Sequence, residues 1–129
     1  MVRNLKMIAP KSILVVDDEP MVANTLRLLL RMKGHQVELA DDGEKALALY
    51  EKGKFDLVVT DFSMPGMDGL ELARVIRERV PEQPIIMISA YADAVTSDEK
   101  RRLNIDAVLG KPFSVQQLQD ALISVFPGG

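Results

Sequence analysis

The sequence predicts an α/β fold of five parallel strands alternating with five helices, and three observations carry that prediction. Five short apolar runs recur along the 129 residues. Segments of helical period separate them. Three of the runs are continuously apolar and rich in β-branched residues, the pattern of a strand buried on both faces of a parallel sheet.

The first run is Ile13-Leu14-Val15-Val16. After it Val22, Leu26, Leu29 and Leu30 share one helical face, with Pro20 near the start and Gly34 past the end, the usual punctuation of a helix. The second run, Gln36-Val37-Glu38-Leu39, alternates as an edge strand does. Asp42 is placed to cap a short helix carrying Ala46, Leu47 and Tyr50. The third run, Asp56-Leu57-Val58-Val59-Thr60, leads to a helix lined by Leu72, Ala73 and Ile76. The fourth is Ile85-Ile86-Met87-Ile88, and the polar, basic segment from Thr96 to Leu103 behind it has the faintest helical pattern. The fifth is Ala107-Val108-Leu109. Ser114, with Gln117 three residues on, has the form of a capping box ahead of Leu118, Leu122 and Val125. Strict alternation implies helices on both faces of the sheet. Right-handed crossovers leave few topologies, and the doubly wound, flavodoxin-like (βα)5 order 2-1-3-4-5 suits this size.

Composition narrows the class. A chain of this length suits one domain, read here as residues 11–127 behind a flexible lead-in over residues 1–10. Hydrophobic residues make up 47% and charged residues 27%, ordinary values for a globular domain. A net charge of -3 argues against direct nucleic-acid binding. There is no cysteine, so disulfides and thiolate metal sites are excluded. No apolar run has the length of a signal sequence or a membrane span. The expected location is the cytoplasm.

The polar residues at the strand ends carry the functional argument. In open α/β sheets ligands bind beyond the carboxyl ends of the strands, at the switch point between the first and third strands of this order. The first strand ends in Asp17-Asp18, the third in Asp61, the fourth in Ser89 and the fifth in Lys111. Three carboxylates brought together repel and raise one another's pKa. A divalent cation removes that conflict, and oxygen donors with an open position suit Mg²⁺, with Mn²⁺ as the alternative. Lys111 adds a point charge for phosphate, and Ser89 adds a hydroxyl donor. These are the parts of a phosphoryl-transfer site, where positioned cations and donors stabilise a charged transition state. Asp61 lies between the acidic pair and the Ser/Lys side, which makes it the best placed nucleophile.

At these residues the sequence resembles the receiver domains of bacterial response regulators and hybrid histidine kinases. The matching pieces are Ile13-Leu14-Val15-Val16-Asp17-Asp18-Glu19-Pro20, Val59-Thr60-Asp61-Phe62-Ser63-Met64-Pro65-Gly66-Met67-Asp68-Gly69, Ile88-Ser89-Ala90 and Lys111-Pro112-Phe113. The resemblance implies that Asp61 is the phosphoacceptor in a two-component phosphorelay. It implies that Asp18 and Asp61 bind Mg²⁺ directly, Asp17 through a water, and Ser63 through its backbone carbonyl. It gives Ser89 and Lys111 the phosphoryl oxygens and puts a cis peptide before Pro112. It names a histidine kinase or histidine phosphotransfer domain as phosphodonor, with an unnamed effector downstream. A stand-alone regulator and the receiver of a larger protein both stay open. The chain departs from the family at one switch position. Where receivers usually carry Tyr or Phe, three residues before the lysine, this one has Val108, a stiff side chain with no ring to swing. Tyr91, two residues past Ser89, is a candidate substitute in signalling and a candidate shield of the acyl phosphate.

His35 is expected to be a surface histidine, and Lys100-Arg101-Arg102 the solvated face of a helix. An aspartate-nucleophile phosphatase needs a second acid two residues after the nucleophile, where this chain has Ser63. A flavin or nucleotide binder needs a phosphate loop after the first strand, where this chain has Asp-Asp-Glu-Pro. The remaining alternative is a phosphate-independent interaction module that keeps the fold. On this reading the domain is a signalling module and not an enzyme, because the phosphoryl group ends on itself.

Overall fold

The computed structural model describes residues 8–90 and 95–129. The elements run β1 (Ser12–Val16), α1 (Pro20–Met32), β2 (Gln36–Ala40), α2 (Gly43–Lys52), β3 (Leu57–Asp61), α3 (Gly69–Arg79), β4 (Ile85–Ser89), α4 (Ser97–Arg102), β5 (Ala107–Gly110) and α5 (Val115–Val125). All strand pairs are parallel and the order is β2-β1-β3-β4-β5, as the alternation implied.

Each strand sends alternate side chains to opposite faces, and two cores result. Leu14, Val16, Val58, Ile85 and Met87 pack with Leu72, Ala73 and Ile76 of α3 and Ala46 and Tyr50 of α2. Ile13, Val15, Val59, Ile86 and Ile88 pack with Leu26 and Leu30 of α1 and Leu118 and Leu122 of α5. The central strands β3 and β4 are buried at every residue, whereas β2 exposes Gln36 and Glu38 to water at its edge.

Caps set the helix starts. Asp42 and Asp68 accept from the third residue of α2 and α3, at 2.7 and 2.9 Å. Ser114 and Gln117 form the expected capping box, with bonds of 2.8 and 3.0 Å. Ser114→Ala should therefore cost about 1 kcal/mol in a urea melt. The faint helix α4 buries no residue and begins at a second capping box, Thr96 with Glu99. Its far end is held from below by Arg77, which donates to the carbonyls of Leu103 at 2.7 Å and Asn104 at 2.6 Å. Lys100, Arg101 and Arg102 are exposed, as expected.

One feature differs from the sequence reading. His35 is buried, at 5% exposure, because its Nδ1 accepts the N–H of Lys11 at 3.0 Å and so satisfies the ring inside the fold. Burial, with the charge of Lys11, holds its pKa below the usual histidine value. Packing also begins before Lys11: Ile8 is buried in the α1/α5 core, and the Lys11 ammonium stands 4.5 Å from the centre of the Phe126 ring. Tyr91 lies outside the described residues, so neither role expected of it is addressed by the structure. No described helix is long and apolar enough to cross a membrane.

Candidate phosphoacceptor and metal site

The strand register brings the acidic residues together. Val16 pairs with Thr60, so the residues that follow, Asp17 and Asp61, emerge side by side. Asp61 is itself in register with Ile88, and Ser89 with Gly110. Backbone bonds past the strand ends fix the departing loops. Asp17 N–H donates to Ala40 at 3.1 Å, Phe62 to Ile88 at 2.7 Å, and Lys111 to Ser89 at 2.8 Å. The Lys111-Pro112 peptide is cis, as the resemblance implied.

Lys111 is the electrostatic centre. Its Nζ lies 3.2 Å from Asp17 Oδ2, 3.3 Å from Asp61 Oδ2 and 2.7 Å from Glu19 Oε1. Asp17 and Asp61 are 2% and 4% exposed, so the charges they carry are largely removed from water. Burial, then the neighbouring Asp17, raises the Asp61 pKa to about 6 against the opposing pull of Lys111. Burial likewise raises Asp17, although the Glu19 N–H and Lys111 oppose it. For Lys111 burial acts to lower the pKa, but the Glu19 hydrogen bond and the Asp17 and Asp61 charges outweigh it and raise it.

A cleft of about 330 Å³ opens over this centre, lined by Asp18, Glu19, Asp61, Phe62, Ser63, Ser89, Ala90 and Lys111. Asp18 stands exposed on its wall. The tight carboxylate cluster among the described residues is Asp17, Glu19 and Asp61, whose oxygens lie within 4.8 Å of one another. Sequence reasoning gave Glu19 no role; the third consecutive acid before Pro20 was the available signal. Asp17 Oδ2 is buried and pairs with the Lys111 ammonium at 3.2 Å. Asp17 and Asp61, with Asp18 and Ser63 on the cleft wall, are hard oxygen donors of the kind a divalent cation takes. Val108 is half-buried against the core on the α3 side.

Comparison with known proteins agrees with this geometry. The family model of the response regulator receiver domain matches residues 13–123. Chemotaxis protein CheY-3 of Vibrio cholerae is 38% identical over 117 residues, covering 88% of this chain and 90% of the relative. Among solved structures, V. cholerae CheY4 superposes with a TM-score of 0.85 at 30% identity, over 91% of this chain and 99% of that one. Thermotoga maritima TrrA, solved in complex with Mg(2+)-BeF, has a TM-score of 0.82 at 34% identity, over 89% and 98% of the two chains. Sheet order, acidic cluster and sequence match converge on one assignment: the chain belongs to the response regulator receiver domains, the signalling modules of two-component systems.

Proposed function

We propose that Asp61 is the phosphoacceptor and that residues 11–127 form the receiver unit. The observation that carries this reading is Lys111 Nζ poised 3.3 Å from Asp61 Oδ2 within the cleft that Asp18, Ser63 and Ser89 also line. With a pKa of about 6, Asp61 is mostly ionised at neutral pH and so nucleophilic. Its carboxylate oxygen attacks phosphorus, and the P–N bond of a phosphohistidine on a histidine kinase or phosphotransfer domain breaks. Lys111 supplies positive charge to the phosphoryl oxygens and Ser89 a hydroxyl. Asp17, Asp18, Asp61 and the Ser63 carbonyl are the oxygen donors available to Mg²⁺, or to Mn²⁺ in its place. When bound, the cation supplies charge neutralisation between acceptor and incoming phosphate. Ser89 and Val108 are the proposed switch positions. Val108 has no ring to exchange between two packings, so its part is a change of packing against the α3-side core. Effector binding changes with phosphorylation, in a protein that works in the cytoplasm.

Acetyl phosphate with Mg²⁺, read by intact mass, tests this. One added phosphoryl group is expected, and a chelator should abolish it. No adduct at saturating donor and metal would overturn the reading.

A further inference from the structure

Glu19 caps α1 through its backbone carbonyl, which accepts from the Ala23 N–H at 3.0 Å, but its side chain does not serve the helix. Its side chain makes no capping bond, and α1 has no acidic residue in its first turn, although a carboxylate there would be favoured by the helix dipole. The Glu19 backbone is fixed from both sides. Its N–H donates to Asp17 Oδ1 at 2.8 Å, and Pro20 restricts it to extended conformations, here φ -93° and ψ 109°. From that anchor the side chain reaches across to accept from Lys111, 92 positions away, at 2.7 Å. The three donors of the ammonium thus face three carboxylates. The shortest contact goes to the carboxylate most open to water: the Glu19 side chain is 60% exposed, against 1% for Asp17 and 6% for Asp61.

We propose that Glu19 is a positioning residue that holds Lys111 toward the α1 side of the cleft in the unphosphorylated state and yields it to the phosphoryl group on Asp61. This rests on the phosphoacceptor reading and deepens it. The Glu19 contact is the exchangeable one. An ion pair this exposed is weak, whereas releasing Lys111 from Asp17 would leave a buried charge uncompensated. Phosphorylation then exchanges one carboxylate partner of Lys111 for a phosphoryl oxygen, and the freed Glu19 returns to water. A phosphoryl group must displace Glu19 to gain the lysine, so removing the Glu19 charge should tighten binding of a phosphoryl-like anion. A metal-ligand role for Glu19 has the opposite signature, because losing it would weaken Mg²⁺.

The test uses the whole chain as wild type, Glu19→Gln, Lys111→Met and the double variant. Beryllofluoride is titrated at saturating Mg²⁺ and followed by fluorine NMR; Mg²⁺ alone is followed by amide shifts. Glu19→Gln should tighten beryllofluoride about three- to fivefold, leave Mg²⁺ affinity within about twofold, and have no effect in the Lys111→Met background. Tightening that persists without the lysine is a general charge effect and overturns the proposal. So does an unchanged beryllofluoride affinity, or a fall in Mg²⁺ affinity beyond about twofold, the mark of a ligand. If the lysine variant binds too weakly to titrate, hydrogen exchange of the Lys111 ammonium in metal-free protein decides: faster in Glu19→Gln supports the proposal, unchanged overturns it. Wild type that binds neither probe overturns the phosphoacceptor reading, and this inference with it.

Discussion

Asp61→Asn should take up no phosphoryl group and, in metal-free buffer at pH 7.5, should resist urea better than the wild type. The first half follows from the role proposed for Asp61 as nucleophile. The second follows from the site's electrostatics. Burial and the Asp17 charge lift the Asp61 pKa from 3.8 to about 6 in the folded protein. Between those values the folded state binds more protons than the unfolded state, so stability falls as pH rises through the window. Above it the ionised acceptor costs on the order of 3 kcal/mol. Asparagine removes that cost, which is already net of the attraction of Lys111; the lysine keeps Asp17 and Glu19, and the buried amide N–H group left beside it gives back part of the gain. The net gain expected is about 1–2 kcal/mol. It should shrink as the pH is lowered toward 5, because the wild-type carboxyl is then increasingly protonated. Asp17 shifts in the same direction and is coupled to Asp61 by mutual repulsion and the shared Lys111, so the difference between the two urea curves reports the loss of the acidic pair. An asparagine variant less stable than wild type at pH 7.5 would contradict this account.

Gly69→Ala should damage both fold and site. A Cβ at Gly69 would lie 2.2 Å from the carbonyl oxygen of Asp61, 2.9 Å from Met87 Sδ and 3.0 Å from Phe62 Cα. The methionine could swing aside, but the Asp61 carbonyl is backbone at the end of a fully buried strand. Relief has to come from α3 backing away. That would break the 2.9 Å bond from Gly69 N–H to the Phe62 carbonyl, which ties the start of α3 to the chain just after Asp61. Overpacking against backbone should cost about 3 kcal/mol. Displacing Asp61, the proposed nucleophile, should slow phosphorylation by acetyl phosphate on the order of tenfold or more. A variant melting within about 0.5 kcal/mol of wild type, the spread of a neutral surface change, would show that the contact is readily relieved.

What the sequence made legible were features with local causes. A run such as Leu57-Val58-Val59 is buried on both faces, so the polar residue ending it, Asp61, stands out at the sheet edge. Asp42 and Ser114 announce their helices because a cap needs a side-chain oxygen within three residues of its target. The less legible features depend on distant partners. His35 reads as exposed after Gly34, and only the Lys11 N–H, reached through folding, explains its burial. Glu19 stands out locally only as a third consecutive acid before Pro20, and its partner Lys111 is 92 positions away. The helix α4 was faint because it buries no side chain, and the Arg77 bonds at its far end go to carbonyls, which leave no trace in residue type. The departure at Val108 was visible at once, and the structure places that side chain half-buried against the α3-side core.

The most direct test of the central claim is to locate the phosphoryl group. After reaction with acetyl phosphate and Mg²⁺, borohydride reduces an aspartyl phosphate to homoserine, which peptide mass spectrometry can place. Homoserine is expected at position 61, with Asp17 and Asp18 unmodified and no product in Asp61→Asn. Homoserine at another aspartate in the wild type, or trapping undiminished in Asp61→Asn, would contradict it.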